Sequence, residues 1–180
     1  MNGSDAWRWL QTGTLLAIGF WGVLVAMGRA SWGFFDGVNL IFHEAGHPIF
    51  GLGGEFLGIL GGSLAQVLVP AACAVAFLWQ GQPFGAGLCG IWTGQSLVGV
   101  SIYMADARAQ RLPLLGGDGV IHDWNYLLGR LGLLAWDRPL GTATALLAGA
   151  LITISAVLAG LLCLRGTDSG HRDAAGGSEP

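Results

Sequence analysis

Lysine is absent from this 180-residue chain, whose eight basic residues are all Arg. Charged residues of both signs make up only 11% of it, well below the roughly 25% of a soluble domain. A chain this short has no large buried core that would explain so little charge. With 53% hydrophobic residues and a mean hydropathy of +0.60, it reads as an integral membrane protein partnered by the lipid bilayer. A net charge of −3, with no basic run and no aromatic-basic interleaving, leaves no case for nucleic acid. Cysteine is scarce as well. Cys73, Cys89 and Cys163 lie in apolar runs without a C-x-x-C pair, which argues against a disulfide framework or a cysteine metal knuckle. They read as small buried hydrophobes.

What is present is a series of apolar runs. Residues 1–11 are a short polar start whose Trp7, Arg8 and Trp9 suit an interfacial anchor. Thr12 to Gly28 is near the lower length limit for a span, and reads as an uncleaved first span rather than a signal peptide because more membrane sequence follows. Leu57–Trp79, Phe84–Ala105 and Leu140–Leu164 are further spans. Small residues recur at four-residue spacing at Gly54, Gly58 and Gly62, and again at Ala86, Gly90 and Gly94. Such ridges allow close helix approach, so the second and third spans are expected to pack as a hairpin. The expected fold is all-α, a polytopic membrane bundle of about four to six membrane helices, one of them broken or re-entrant. Residues 1–164 form a single membrane domain, and 165–180 read as a disordered polar tail. The expected location is the bacterial inner membrane.

The chemistry-bearing stretch is Asn39-Leu40-Ile41-Phe42-His43-Glu44-Ala45-Gly46-His47. On a helix His43 and His47 project from one face a turn apart. Two imidazole nitrogens at that spacing can reach one Zn²⁺ at about 2.0–2.1 Å each. Glu44 then stands where it can take a proton from a zinc-activated water, as in H-E-x-x-H metalloproteases. The competing reading is a polar patch on a core helix, which would leave three ionisable groups in an apolar segment. Each unpaired buried polar group costs roughly 1–3 kcal/mol, and a metal removes most of that penalty. Asp36-Gly37 is a fair start for this helix, and Pro48 is expected to kink or end it.

A catalytic zinc needs a third protein ligand. The metzincin extension fails, because Phe50 and Gly53 occupy its Gly and His positions. Glu55 has no supporting pattern, Asp118 reads as a turn residue, and His171 lies in the tail. His122-Asp123 remain, between a glycine-rich loop and a helix start. One of the two is expected as ligand and the other as its hydrogen-bonded support. Asp123 also suits an N-cap for a helix beginning at Trp124 and ending near Trp136.

The histidine helix, the glycine-rich hairpin of spans and the distal Asp resemble the site-2 protease family of intramembrane zinc metallopeptidases, over roughly residues 36–130. The resemblance implies His43 and His47 as ligands, Glu44 as base and Asp123 as third ligand. The chain departs from the family in having Ile-His-Asp-Trp-Asn at the Asp motif, no PDZ-like insert and Pro48 after the helical motif. It looks like a divergent, minimal relative. The expected activity is hydrolysis of a membrane or juxtamembrane peptide bond, with Asn39, Gln95 or Ser96 as candidate oxyanion donors. Two alternatives stand beside it: hydrolysis of a lipid-linked amide or ester, and a non-catalytic structural metal site closed by His43, His47, His122 and Asp123. The positive-inside rule does not decide orientation, because a spanning and a re-entrant histidine helix reverse the Arg bias.

Overall fold

The computed structural model describes residues 3–28, 30, 33–113 and 120–165. Asp118, the tail beyond Arg165 and its His171 lie outside them. Among the described residues all regular structure is helical: α1 Gly3–Ala26, α2 Gly33–Gly51, α3 Glu55–Trp79, α4 Pro83–Ala105, α5 Asp123–Arg130 and α6 Asp137–Arg165, with a 3₁₀ turn at Leu134–Trp136. Among the described residues four helices are long and apolar enough to cross a membrane: α1, α3, α4 and Leu134–Arg165. Phe20 and Leu146 are 67% and 71% exposed, as side chains facing lipid rather than a core would be. Exposed Trp7, Trp9 and Trp79 mark one end of the bundle and Trp136 the other, matching aromatic belts at two interfaces.

Helix directions follow from contacts along each pair. Gly87, Gly90 and Gly94 of α4 meet Ala159, Ser155 and Ile152 of α6, so those helices run antiparallel. Gly19 meets Ala156 and Thr12 donates to the Gly160 carbonyl at 3.2 Å, which sets α1 antiparallel to α6 and parallel to α4. Leu15, Ile91, Ile152 and Ala156 fill the space among these three. In lipid the driving force for this packing is van der Waals contact, which small residues permit by letting backbones approach. The small-residue ridge of α4 therefore serves α6, while α3 and α4 still pack as the expected hairpin through other contacts, such as Gly85 against Phe77 and Gln66 against the Ser96 carbonyl.

The ridge of α3 is used by α2. Gly46 lies against the Gly61 carbonyl, Gly51 against Gly58 and His43 against Gly62, so α2 and α3 form an antiparallel pair. Pro48 neither breaks nor immediately ends α2, which runs on to Gly51 before turning through Gly54 at φ +105°. Only glycine adopts that dihedral without strain. The first helix starts nine residues earlier than the apolar run does, at Gly3, and the amphipathic helix after the loop is shorter than expected, ending at Arg130.

Candidate metal centre

Helical spacing brings the His43 and His47 rings together, with centroids 4.9 Å apart and planes at 80°. Each ring is held by its Nδ1. His47 Nδ1 lies 2.9 Å from the Gly58 carbonyl oxygen, which only accepts. His43 Nδ1 lies 3.0 Å from Gln66 Oε1. The Gln66 amide is oriented by its own Nε2, which donates to the Ser96 carbonyl at 3.0 Å, so Oε1 faces the imidazole as acceptor. Both histidines therefore donate from Nδ1 and turn Nε2 toward the opposite side.

Those two nitrogens converge on one carboxylate oxygen. Asp123 Oδ2 is 2.9 Å from His43 Nε2 and 3.6 Å from His47 Nε2. Tetrahedral ligands at zinc distances stand about 3.3 Å from one another. His43, Glu44 and His47 also form a group able to hold a metal ion, with ligand atoms within 4.8 Å of one another. Glu44 is exposed on the wall of a cavity of about 1040 Å³, alongside His43, His47 and Asp123. Gly62 makes room for the site, since a Cβ there would stand 2.7 Å from His43 Nε2.

Asp123 is delivered by α5, which is tied down at three points. Its backbone N–H donates to the Tyr103 hydroxyl at 3.1 Å. Trp124 Nε1 donates to Ser63 Oγ at 3.1 Å, and Asn125 Nδ2 to the Ala107 carbonyl at 2.8 Å. Beneath them Leu128 packs with Val100, Met104 and Ala107.

Of the two candidates at 122–123, only Asp123 reaches the histidines. His122 is the N-cap of α5 in place of Asp123, its Nδ1 accepting from Asn125 N at 3.3 Å. Its Nε2 faces Asp106 Oδ2 at 3.6 Å, turned away from the centre, so it neither joins nor supports the carboxylate. Burial pushes the His122 pKa down against the raising pull of Asp106, which keeps the ring neutral at pH 7. Glu55 pairs with Tyr126 instead of the imidazoles.

The polar cluster on α4 is also sorted by its contacts. Ser96 Oγ donates to Asn39 Oδ1 at 3.0 Å and Trp92 Nε1 donates to the same oxygen at 2.8 Å. With its oxygen doubly engaged, Asn39 offers its NH₂ to the cavity it lines. Gln95 reaches Asp36 instead, with Nε2 3.5 Å from Oδ1. Tyr103, the Gly58 carbonyl and Gly62 carried no sequence signal as site residues. Gln66, a polar residue within a span, reads from the sequence first as helix–helix glue and only second as lining a wet site.

The fold and site together define an all-helical membrane protein with a His-Glu-His group able to hold a metal ion. No family model, curated protein or solved structure matches the chain.

Proposed function

We propose that the chain is a membrane-embedded zinc metallopeptidase that hydrolyses a membrane or juxtamembrane peptide bond. The observation that carries this reading is the convergence of two imidazole Nε2 atoms on one carboxylate oxygen, at 2.9 and 3.6 Å, close to the spacing of ligands around one ion. A dication binds both nitrogens and the carboxylate at once. Mixed nitrogen and oxygen donors suit zinc, and three protein ligands leave a position open.

Bound there, zinc supplies Lewis-acid polarisation of a carbonyl and lowers the pKa of water toward about 7. Glu44, exposed on the cavity wall beside His43, takes a proton from the attacking water and returns it to the leaving amine. The Asn39 NH₂, one helical turn before His43, donates toward the substrate carbonyl. Gln66 and the Gly58 carbonyl hold the imidazoles in the tautomer that ligation needs. A lipid-linked amide or ester would be open to the same chemistry. Against phosphate-bearing versions of it, the cavity lining among the described residues includes Asp36, Glu44 and Asp123 and no Arg.

The test pairs Glu44→Gln with a His43→Ala/His47→Ala double variant. Purified wild type should carry about one zinc per chain, the double variant none, and Glu44→Gln nearly the wild-type content. Proteomics of cells carrying each should show the same membrane proteins accumulating uncleaved in both variants, since loss of a general base lowers the rate by roughly 10²–10⁴-fold. Zinc-free folded wild type ends the metal reading. A Glu44→Gln protein that turns over like wild type makes the metal structural.

A further inference from the structure

Seven residues before His43, Asp36 stands on the same face of α2, two helical turns away and so about 10 Å along the axis. Its carboxylate is exposed and lines the same cavity as His43, Glu44 and Asp123. Its side-chain neighbour is Gln95, near the middle of the membrane-spanning helix α4. A carboxylate is thus held at mid-span depth, and none of the ion pairs among the described residues includes it.

Charge at that depth is expensive and ordinarily marks a ligand or ion path. Gln95 holds the carboxylate in place. It is only 3% exposed, yet its Oε1 has no hydrogen-bond partner while Nε2 reaches toward Asp36. Leaving a buried amide oxygen unsatisfied costs roughly 1–3 kcal/mol. A cationic group in the cavity would satisfy Asp36, which lines it, while Gln95 stands behind the carboxylate. A role as a helix-start acid does not explain the cavity position.

We infer that Asp36, held in place by Gln95, forms a cation-recognition subsite, taking an ammonium or guanidinium group about 10 Å from the metal centre. In the peptidase reading, on which only the far end of this geometry rests, the occupant is a peptide with a Lys or Arg side chain or a free amino terminus at that distance from the scissile carbonyl. Asn39 lies between the two ends and is placed to receive an intervening carbonyl. The apolar wall of Leu40, Val100 and Ile102 covers the segment between them.

The test uses full-length zinc-loaded protein in detergent and two hydroxamates that differ at one end. One ends in an ammonium and the other in a methyl, each on a chain of about six methylenes, enough to cover roughly 10 Å. Affinities for wild type, Asp36→Asn and Asp36→Glu form double-mutant cycles in which partition into detergent cancels. Asp36→Asn should lose about tenfold in affinity for the ammonium probe and almost none for the methyl probe. Asp36→Glu should keep most of the preference. Coupling below about twofold overturns the subsite. Zinc content and the methyl probe report on the metal centre separately. Should zinc fail to bind, octylammonium and octanol, which have no metal-binding head, complete the same cycle. Octylammonium binding that is lost in Asp36→Asn then keeps the subsite while the peptidase reading falls, and unchanged binding removes both.

Discussion

Gln66 Oε1 accepts from His43 Nδ1 at 3.0 Å, and its own amide nitrogen is anchored on the Ser96 carbonyl. One glutamine thus links three helices and turns the His43 Nε2 toward Asp123. Gln66→Leu is expected to lower zinc affinity about 10–100-fold, while Gln66→Glu retains an acceptor and most of the affinity. Chelator competition measures this, with helix content checked by circular dichroism. Wild-type affinity in the Leu variant would reduce Gln66 to packing.

Gly62 is the space the His43 ring occupies, with a would-be Cβ 2.7 Å from Nε2. Gly62→Ala should displace the ring and weaken zinc binding by about tenfold or more. Gly13→Ala is the control, because nothing lies within 4 Å of a Cβ there. Equal zinc affinity in the two variants would contradict the close fit.

His122 and Asp123 are adjacent but serve different ends. Asp123→Asn should lose at least about tenfold in zinc affinity. His122→Asn keeps a capping side chain and should bind zinc as wild type does, whereas His122→Ala should cost about 1 kcal/mol of stability through the lost cap. Zinc titration beside thermal unfolding separates the two roles, and metal loss in His122→Asn would bring that ring back into the site.

Arg108 Nη2 reaches Asp137 Oδ1 at 2.6 Å, and Asp137 is only 1% exposed. The carboxylate also accepts from the Arg108 and Arg138 backbone N–H groups at 3.2 and 2.7 Å. Arg108→Gln leaves a buried charge on neutral donors and should lower unfolding stability by about 1–3 kcal/mol. Adding Asp137→Asn should restore part of that loss, because the stranded charge is gone. Unfolding in mixed micelles reads both, and a double variant weaker than the sum of the singles would argue against the pair.

Parallel α1 and α4 put the amino terminus and the metal centre at opposite ends of the bundle. Among the described residues Arg108, Arg111, Arg130 and Arg138 gather at the centre's end, against Arg8 and Arg165 at the other. The positive-inside rule predicts that the centre's end faces the cytoplasm and that Gly3 and Arg165 lie on the far side. A carboxy-terminal alkaline phosphatase fusion expressed in a bacterium should be active and a green fluorescent protein fusion dark. The opposite pair of results would invert the topology.

Features that depend on neighbours along the chain were legible in the residues alone. Helical periodicity puts His43, Glu44 and His47 in one place, and run length and hydropathy mark the membrane helices, because both are local properties of an α-helix in lipid. Tertiary structure decided what depends on partners far apart in sequence. It selected Asp123 over His122 through the tethers that orient α5, turned the α4 ridge toward α6, and made Gln66 a support for His43. A polar residue in a span must find some partner, but which one is set by helix direction and register, and no local pattern records those.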